Sequence, residues 1–241
     1  MFRFYFTIVI SIFSALYFFA KYSAIMKNPD KYTELQKYEL VKFCCERISR
    51  RGRIDNDFYG LENLPLEGGY ILYPNHQGRY DAIAIILSHD DPLSFVVDSE
   101  RSKVILLNEA TNLVNGKRLN KSDMRNQVSV IQGVSKEVIN GRRYIIFPEG
   151  GYEDNVSDNT VKDFMPGAFK AAIKAKCPIV PIALIDSYKA YYKNSLKKVK
   201  CQVHYLEPIT YDSYKDMNSR EIADLVKSRI CNKIDEVLAE I

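Results

Sequence analysis

The chain has 241 residues, of which 46% are hydrophobic and 27% are charged, and its formal net charge is +4. This size and composition are typical of one globular domain with a sizeable core. Five cysteines without a C-x-x-C pair and three histidines without H-x-x-x-H spacing argue against a disulfide framework and against a zinc site. We therefore expect neither a metal nor a cofactor.

The first segment of interest is Phe4–Ala20, a run of seventeen residues without a charge, preceded by Arg3 and followed by Lys21. About seventeen residues is the lower limit for a helix that spans a bilayer, so the run predicts a membrane anchor that either spans or dips into the membrane. A cleaved secretory signal is the alternative, with Ser23-Ala24 as a weak cleavage site. The lysines after the run predict a cell-membrane protein whose globular part lies on the cytoplasmic side.

Residues 30–50 predict a second helix, with Asp30 as its N-cap and a rough apolar stripe along one face. The end of this segment carries four arginines, Arg47, Arg50, Arg51 and Arg53. A basic end suits either an anionic membrane surface or solvent, and both alternatives stay open. We place a domain boundary here, between an N-terminal membrane anchor with an amphipathic helix (1–53) and a globular α/β domain (54–241).

From Phe58 onward, short apolar runs alternate with helical patterns. The runs that predict buried strands are 71–73, 93–97, 104–107, 144–147, 179–185 and 203–206. The segments that predict helices are 82–88, 124–139, 164–176 and 219–240. This alternation predicts an α/β fold with a mostly parallel central sheet flanked by helices, preceded by the N-terminal membrane-associating helical element.

The loop between the predicted strand 71–73 and the predicted helix 82–88 carries His76 and Asp81, five positions apart. Loops of this kind often hold the reactive side chains of α/β proteins. A neutral imidazole can accept a hydroxyl proton while a carboxylate fixes its tautomer and stabilises the imidazolium that forms. The alternative is that Asp81 caps the following helix and that a backbone carbonyl satisfies His76.

A second stretch of chemical interest follows the predicted strand 144–147 and reads Pro148-Glu149-Gly150-Gly151. Glycines at the carboxyl end of a strand let a ligand approach the backbone, whose N–H groups can cradle an anion. Glu149 would then hold a neighbouring cation or a substrate hydroxyl. The alternative is a tight turn with a solvated glutamate.

Two basic features suit phosphate. Lys117, Arg118 and Lys121 lie in a turn before the helix predicted at 124–139, for which a solvated loop is the alternative. The second feature is a group of lysines in the C-terminal half, Lys170, Lys174, Lys176, Lys189, Lys193, Lys197, Lys198 and Lys200. Such a group attracts anionic lipid, coenzyme A or nucleic acid. Nucleic acid is the weakest of these partners because no nucleic-acid-binding module is recognisable.

Taken in order, these stretches resemble the glycerolipid acyltransferase family, specifically the bacterial 1-acyl-sn-glycerol-3-phosphate acyltransferases. The resemblance covers residues 58–210, and the family's usual membrane-associating helical element matches residues 1–50. The motifs that carry it are Asn75-His76-Gln77-Gly78-Arg79-Tyr80-Asp81, Leu119-Asn120-Lys121, Phe147-Pro148-Glu149-Gly150 and Ile179-Val180-Pro181-Ile182.

The resemblance implies that His76 is the general base and that Asp81 orients it. It also implies substrate-binding positions at Asn75, Arg79, Arg118, Lys121, Glu149, Gly150, Gly151 and Pro181. The implied reaction moves a fatty acyl group from acyl-CoA or acyl-carrier protein to the free hydroxyl of 1-acyl-sn-glycerol 3-phosphate (lysophosphatidic acid), giving phosphatidic acid. The implied surroundings are membrane phospholipid, and neither nucleic acid nor a metal takes part.

The chain departs from the family pattern at two places. Lys121 stands where an arginine is usual, and Gly151-Tyr152 stands where Thr-Arg is common. Lysine is a poor replacement for an arginine that binds phosphate through two parallel hydrogen bonds. Two alternatives therefore stay open, namely an acyltransferase with a different lysolipid acceptor and a non-catalytic phospholipid-binding protein of the membrane surface. A thioester hydrolase ranks lower, because water competes poorly with a bound alcohol.

Overall fold

The computed structural model describes residues 2–153, 157–192 and 195–240. Its strands are β1 (Ile54–Tyr59), β2 (Ile71–Pro74), β3 (Leu93–Asp98), β4 (Lys117–Leu119), β5 (Arg143–Ile145), β6 (Ile179–Ile185) and β7 (Val199–Tyr205). Its helices are α1 (Phe2–Ile10), α2 (Ile12–Lys27), α3 (Glu34–Arg51), α4 (Asp81–Ser88), α5 (Leu107–Leu113), α6 (Met124–Ile139), α7 (Lys170–Ala175), α8 (Lys189–Tyr192), α9 (Tyr211–Tyr214) and α10 (Ser219–Ala239). Short 3₁₀ turns are Pro29–Lys31, Leu61–Asn63, Arg101–Lys103 and Pro166–Phe169.

Within the described ranges, the seven strands form one sheet in the order β1-β7-β6-β2-β5-β3-β4. Strand β7 runs antiparallel to β6, and every other neighbouring pair is parallel. The prediction of an α/β fold with a mostly parallel sheet is therefore confirmed. Strands β6, β2, β5, β3 and β4 all run in one direction, so their carboxyl ends meet at one side of the sheet, which we call the carboxyl edge. Ligands of open α/β sheets bind at such an edge.

The strand predictions fail at the two borders of the sheet and at one apolar run. Strands β1 and β4 are the outermost strands, and their polar sequences do not show the apolar pattern of a buried strand. The predicted strand 104–107 is wrong, because Val104 and Ile105 are 56% and 72% exposed and connect a 3₁₀ turn to α5. An apolar run does not by itself specify what it packs against.

The helix predictions are confirmed for α4, α6 and α10 to within one residue. The predicted helix 164–176 is only partly correct, since it consists of the 3₁₀ turn Pro166–Phe169 followed by α7. The N-cap prediction for Asp30 is wrong. Helix α3 begins later, with Thr33 as its cap, and the Thr33 hydroxyl accepts the N–H of Gln36 while the Gln36 side chain accepts the N–H of Thr33.

The core consists of two apolar clusters, one on each face of the sheet. Successive side chains of a strand point to opposite faces, so Leu72 packs in one cluster while Ile71 and Tyr73 pack in the other. Helices α2 to α5 cover the face of Leu72, and α6, α7 and α10 cover the opposite face. The near-continuous apolar sequence of β6 follows from this burial on both faces.

The N-terminal helices pack against the body of the protein. Phe18 of α2 and Tyr38 of α3 belong to the same buried cluster as Leu72 of the sheet. The guanidinium of Arg3 is buried, and it donates to the carbonyl oxygens of Gly52 at 2.8 Å, Ser195 at 2.7 Å and Lys197 at 2.6 Å. The division into 1–53 and 54–241 stays a prediction.

Among the helices of the described chain, none is by itself both long and apolar enough to cross a membrane. Helices α1 and α2 satisfy that criterion only when taken as a pair, and the angle between them is 66°.

Candidate active site

His76 and Asp81 form a close pair at the carboxyl edge. The chain leaves the sheet at the end of β2 and enters α4 at Asp81. Nδ1 of His76 lies 2.7 Å from Oδ2 of Asp81, and the exposed fractions of the two side chains are 13% and 0%. Because Asp81 binds Nδ1, the imidazole nitrogen available to accept a proton is Nε2.

The carboxylate of Asp81 points back into its own loop. Besides His76, Oδ2 accepts the backbone N–H of Gln77 at 2.6 Å and that of Gly78 at 2.8 Å. The alternative in which Asp81 caps the following helix is wrong, since α4 begins at Asp81 itself and its bonds reach residues before the helix. These bonds hold the Asp81 carboxylate in one orientation within the loop.

The other oxygen of this carboxylate has a partner that sequence reasoning missed. The hydroxyl of the buried Ser187 lies 2.6 Å from Oδ1 of Asp81 and 2.8 Å from Oε1 of Gln77. Ser187 follows the end of β6, which is parallel to β2. The signal that could have found it is its position just beyond a predicted buried strand, because parallel strands end at one edge.

Asn75 anchors the loop to the sheet. Its side chain is fully buried, donates from Nδ2 to the Leu184 carbonyl at 3.0 Å and accepts the Leu184 N–H at 2.7 Å. Both ends of the amide are therefore bound to one residue of β6. These contacts fix where the His76 loop begins.

Glu149 lies next to the histidine loop. Its Oε1 accepts the backbone N–H of His76 at 2.8 Å, while Oε2 is buried and has no hydrogen-bond partner among the described residues. Burial raises the pKa of Glu149 to about 7, and the negative charge of Asp81 contributes to the same rise. A buried carboxyl oxygen without a partner is costly unless a proton or a ligand satisfies it.

Two aromatic side chains flank the imidazole. The ring of Phe147 stacks on that of His76 with centroids 3.9 Å apart, and the ring of Tyr152 contacts it edge to face at 4.6 Å. Between them the chain passes through Gly150 (φ +73°) and Gly151 (φ +151°), backbone conformations that glycine adopts without strain. This loop therefore brings the Pro-Glu-Gly-Gly segment against His76.

Lys121 reaches the same corner of the site. Its ammonium nitrogen lies 3.8 Å from the point where a Cβ on Gly151 would be, and 3.5 Å from Oδ2 of Asp98. Lys121 and Gly151, both of which are predicted to bind substrate, therefore lie close together.

Three other predicted binding residues make their contacts elsewhere. The guanidinium of Arg118 donates to side-chain oxygens of α5, and that of Arg79 lies 5.2 Å from the ring centroid of Phe4. Pro181 is buried within β6, opposite Tyr73. A substrate-binding role for these three residues stays a prediction.

Part of the lysine group is paired with acidic side chains. Lys198 and Lys200 form ion pairs with Asp55 and Asp57 of β1, and Lys189 pairs with Asp186. Lys193 lies outside the described residues. Pairing reduces the positive charge that this group presents to a phosphate-bearing partner.

The described residues contain no group of three histidine, cysteine, aspartate or glutamate side chains placed to hold a metal ion. The chemistry that this arrangement supports is proton transfer at Nε2 of His76. A histidine oriented by a buried carboxylate can act as a general base for a hydroxyl group.

This chain is similar to known proteins in both sequence and fold. A family described as Acyltransferase matches residues 55–185. A chloroplastic 1-acyl-sn-glycerol-3-phosphate acyltransferase of Brassica napus is 31% identical over 134 residues, which cover 55% of this chain and 38% of that protein. A probable 1-acyl-sn-glycerol-3-phosphate acyltransferase of Mycoplasma genitalium is 22% identical, covering 66% of this chain and 63% of that protein.

The chain thus spans less than two thirds of the length of these curated relatives. The crystal structure of the 1-acyl-sn-glycerophosphate acyltransferase PlsC from Thermotoga maritima superposes with a TM-score of 0.76 and 21% identity. That superposition covers 98% of this chain and 94% of the other, and it shows a shared fold. Because the family match extends over more than half of the sequence, this chain belongs to the Acyltransferase family.

Proposed function

We propose that the protein is an O-acyltransferase that moves a fatty acyl group from acyl-CoA or acyl-carrier protein to the free hydroxyl of 1-acyl-sn-glycerol 3-phosphate. The product is phosphatidic acid, a precursor of phospholipids. The observation that carries the proposal is the 2.7 Å contact between His76 and Asp81 at the carboxyl edge. The names of the relatives supply the acceptor.

In the proposed mechanism His76 acts as the general base. Nε2 removes the proton of the acceptor hydroxyl, whose oxygen attacks the carbonyl carbon of the thioester. The tetrahedral intermediate then collapses, the carbon–sulfur bond breaks, and the imidazolium returns the proton to the departing thiolate. Asp81 keeps the proton of the neutral imidazole on Nδ1 and stabilises the imidazolium. General-base assistance of this kind contributes about 10²–10⁴-fold to the rate.

Glu149 is assigned to the acceptor side of the site. Its Oε1 fixes the backbone of His76, and its buried Oε2 is left for the acceptor. Gly150 and Gly151 admit the acceptor to the backbone, and Lys121 supplies a positive charge beside them. Asn75 acts by holding the His76 loop on β6.

We further propose that α1 and α2 attach the protein to the cytoplasmic face of the cell membrane. Val9, Phe13 and Leu16 are 70%, 80% and 61% exposed, although each is apolar. Apolar side chains on the surface of adjoining helices suit insertion into a lipid surface. Such a position would bring the site to an acceptor that itself resides in the membrane.

The test is an acyl-transfer assay of the purified protein, with acyl-CoA as donor and a panel of lysolipids as acceptors. The release of free thiol from acyl-CoA measures the transfer. We expect thiol release with 1-acyl-sn-glycerol 3-phosphate, and its loss in His76→Ala. The matched control is His204→Ala, because His204 lies in β7, two strands away from β2, and its ring stacks on that of Tyr59.

Near-normal turnover in folded His76→Ala would exclude the mechanism. Transfer to another lysolipid but not to 1-acyl-sn-glycerol 3-phosphate would favour the alternative of a different acceptor. The Gly151-Tyr152 departure from the family pattern is the reason for considering that alternative. Vesicle binding by a wild-type protein that releases no thiol with any acceptor would favour the non-catalytic alternative.

A further inference from the structure

We propose that Arg101 binds the phosphate of the acceptor and so makes the enzyme selective for a phosphate-bearing lysolipid. The inference rests on the proposed acyltransferase function and adds one residue to the same site. Arg101 lies in the 3₁₀ turn that follows β3, outside the four motifs that carry the family resemblance.

A chain of ring contacts connects Arg101 to the general base. The guanidinium carbon of Arg101 lies 4.2 Å from the ring centroid of Tyr152, and that centroid lies 4.6 Å from the ring centroid of His76. The guanidinium and the imidazole are therefore less than about 9 Å apart. Arg101 also makes a long contact of 3.5 Å with the carbonyl oxygen of Tyr152.

This separation suits a glycerol phosphate. Four covalent bonds join the 2-hydroxyl oxygen to the phosphorus, so at about 1.5 Å per bond the two are at most about 5 Å apart. The rest of the distance between His76 and Arg101 is accounted for by two hydrogen bonds of about 3 Å, one from the hydroxyl to His76 and one from Arg101 to the phosphate. An acceptor whose hydroxyl meets His76 can thus place its phosphate at Arg101.

The positive charge of Arg101 is available for a ligand. Arg101 is exposed, and no ion pair involving it occurs among the described residues. Lys121, the other cation of this corner, lies 3.5 Å from a carboxylate oxygen of Asp98. The second oxygen of Asp98 accepts the backbone N–H of Arg101 at 3.1 Å, which orders the turn without occupying the guanidinium.

The chemistry of the side chain fits the assignment. A guanidinium binds phosphate through two parallel hydrogen bonds, and a planar group already stacked on an aromatic ring loses little freedom when it does so. Tyr152 thus provides the surface on which the charge is held, and Arg101 provides the charge itself. Lys121 completes the corner as a second cation.

The experiment compares Arg101→Ala with Lys103→Ala. Lys103 belongs to the same 3₁₀ turn and pairs with Glu100 at 2.8 Å. Lys103→Ala therefore also removes one positive charge from this turn, but it leaves the contact between Arg101 and Tyr152 in place. Each variant is assayed with 1-acyl-sn-glycerol 3-phosphate and with 1-acylglycerol, which lacks the phosphate.

Arg101→Ala should raise the KM for the phosphate-bearing acceptor by at least about tenfold, the scale of losing hydrogen bonds to a charged group. It should leave the KM for acyl-CoA and the transfer to 1-acylglycerol within about twofold, as expected when only a contact to phosphate is lost. Arg101→Lys should be intermediate, and Lys103→Ala should behave as wild type.

An unchanged acceptor KM in Arg101→Ala overturns the assignment. An equal rise in Lys103→Ala also does so, since it would indicate general attraction of anions, and a rise confined to acyl-CoA would place Arg101 on the donor. If wild type transfers nothing, the proposed function fails, and calorimetric titration with glycerol 3-phosphate decides Arg101 separately. The assignment stands if wild type binds glycerol 3-phosphate and Arg101→Ala does not. It is overturned if the two proteins give equal heats of binding, or if wild type does not bind.

Discussion

Ser187 donates its hydroxyl to Oδ1 of Asp81 at 2.6 Å, and both side chains are almost completely buried. The two residues are 106 positions apart and meet because β2 and β6 are parallel neighbours. The opposite oxygen of the same carboxylate holds His76. The orientation of His76, the proposed general base, therefore depends on two strands and not on one loop.

The first prediction concerns Asp81→Asn. An amide carries no negative charge to stabilise the imidazolium and does not favour the required tautomer, so kcat should fall by about 10²–10⁴-fold with little change in KM. Thiol release measures the rate, and circular dichroism checks folding. Asp90→Asn is the control, since the Asp90 carboxylate is exposed and pairs with Lys42 on the surface. A kcat within about twofold of wild type would contradict the assigned role of Asp81.

The second prediction is a pH dependence of stability at Glu149. Burial raises the pKa of Glu149 on folding from its ordinary value of 4.5 to about 7, so the folded state binds more protons than the unfolded state between these values. The stabilisation is complete below the unfolded pKa and is lost as pH rises towards the folded pKa. It amounts to at most about 3 kcal/mol.

Glu149→Gln removes this titration. The melting temperatures of wild type and variant are compared from pH 4.5 to pH 8 in matched buffers. As pH rises, the melting temperature of the variant should increase relative to that of wild type. Taking the difference cancels the opposite trend from His89, whose pKa burial lowers to about 4. Parallel curves for the two proteins would show that Glu149 does not titrate in this range.

The third prediction concerns Gly150→Ala. The backbone of Gly150 has φ +73°, and a Cβ would lie 2.8 Å from the Cε and Sδ atoms of Met165. The left-handed conformation costs alanine about 1–2 kcal/mol, and Met165 must also move. We expect a lower melting temperature together with a lower kcat, because the segment contacts His76.

Gly167→Ala is the matched control for this change, since nothing lies within 4 Å of its added Cβ. Its melting temperature should stay within about 1 °C of wild type, as is usual for a surface substitution without strain. Equal melting curves for the two variants would argue against the conformation assigned to Gly150.

The fourth prediction concerns the attachment of the N-terminal helices. Arg3→Ala leaves the carbonyl oxygens of Gly52, Ser195 and Lys197 without their donor. The expected loss is about 3 kcal/mol, or roughly 6–12 °C in melting temperature for a chain of this size. Arg50→Ala, at an exposed position of α3, should change stability little. Equal stability of the two variants would show that the helices fold independently of the body.

The fifth prediction concerns the lipid surface. Phe13→Asp places a charge at the most exposed apolar side chain of α2, and co-sedimentation with anionic phospholipid vesicles should decrease severalfold. Leu66→Asp is the control, because Leu66 is 94% exposed but belongs to the body. Undiminished sedimentation of Phe13→Asp would place the membrane contact elsewhere.

The sequence alone determines those features that depend on neighbouring residues. Apolar runs mark β2, β3 and β6, and five-residue spacing between His76 and Asp81 places both in one strand-to-helix loop. The apolar pattern does not predict the edge strands β1 and β4, because a strand with only one neighbouring strand does not need an apolar sequence. Likewise, the apolar run at 104–107 does not reveal that it faces solvent.

The tertiary structure decides which distant residues complete the site. Ser187 reaches Asp81 through the pairing of β2 with β6, and Arg101 reaches Tyr152 because β3 and β5 are neighbours. The spacing of residues along the chain does not specify which strands become neighbours, and both contacts depend on that. The physical reason is that strand order is set by long-range burial of two apolar faces, and a sequence pattern records only which face a residue occupies.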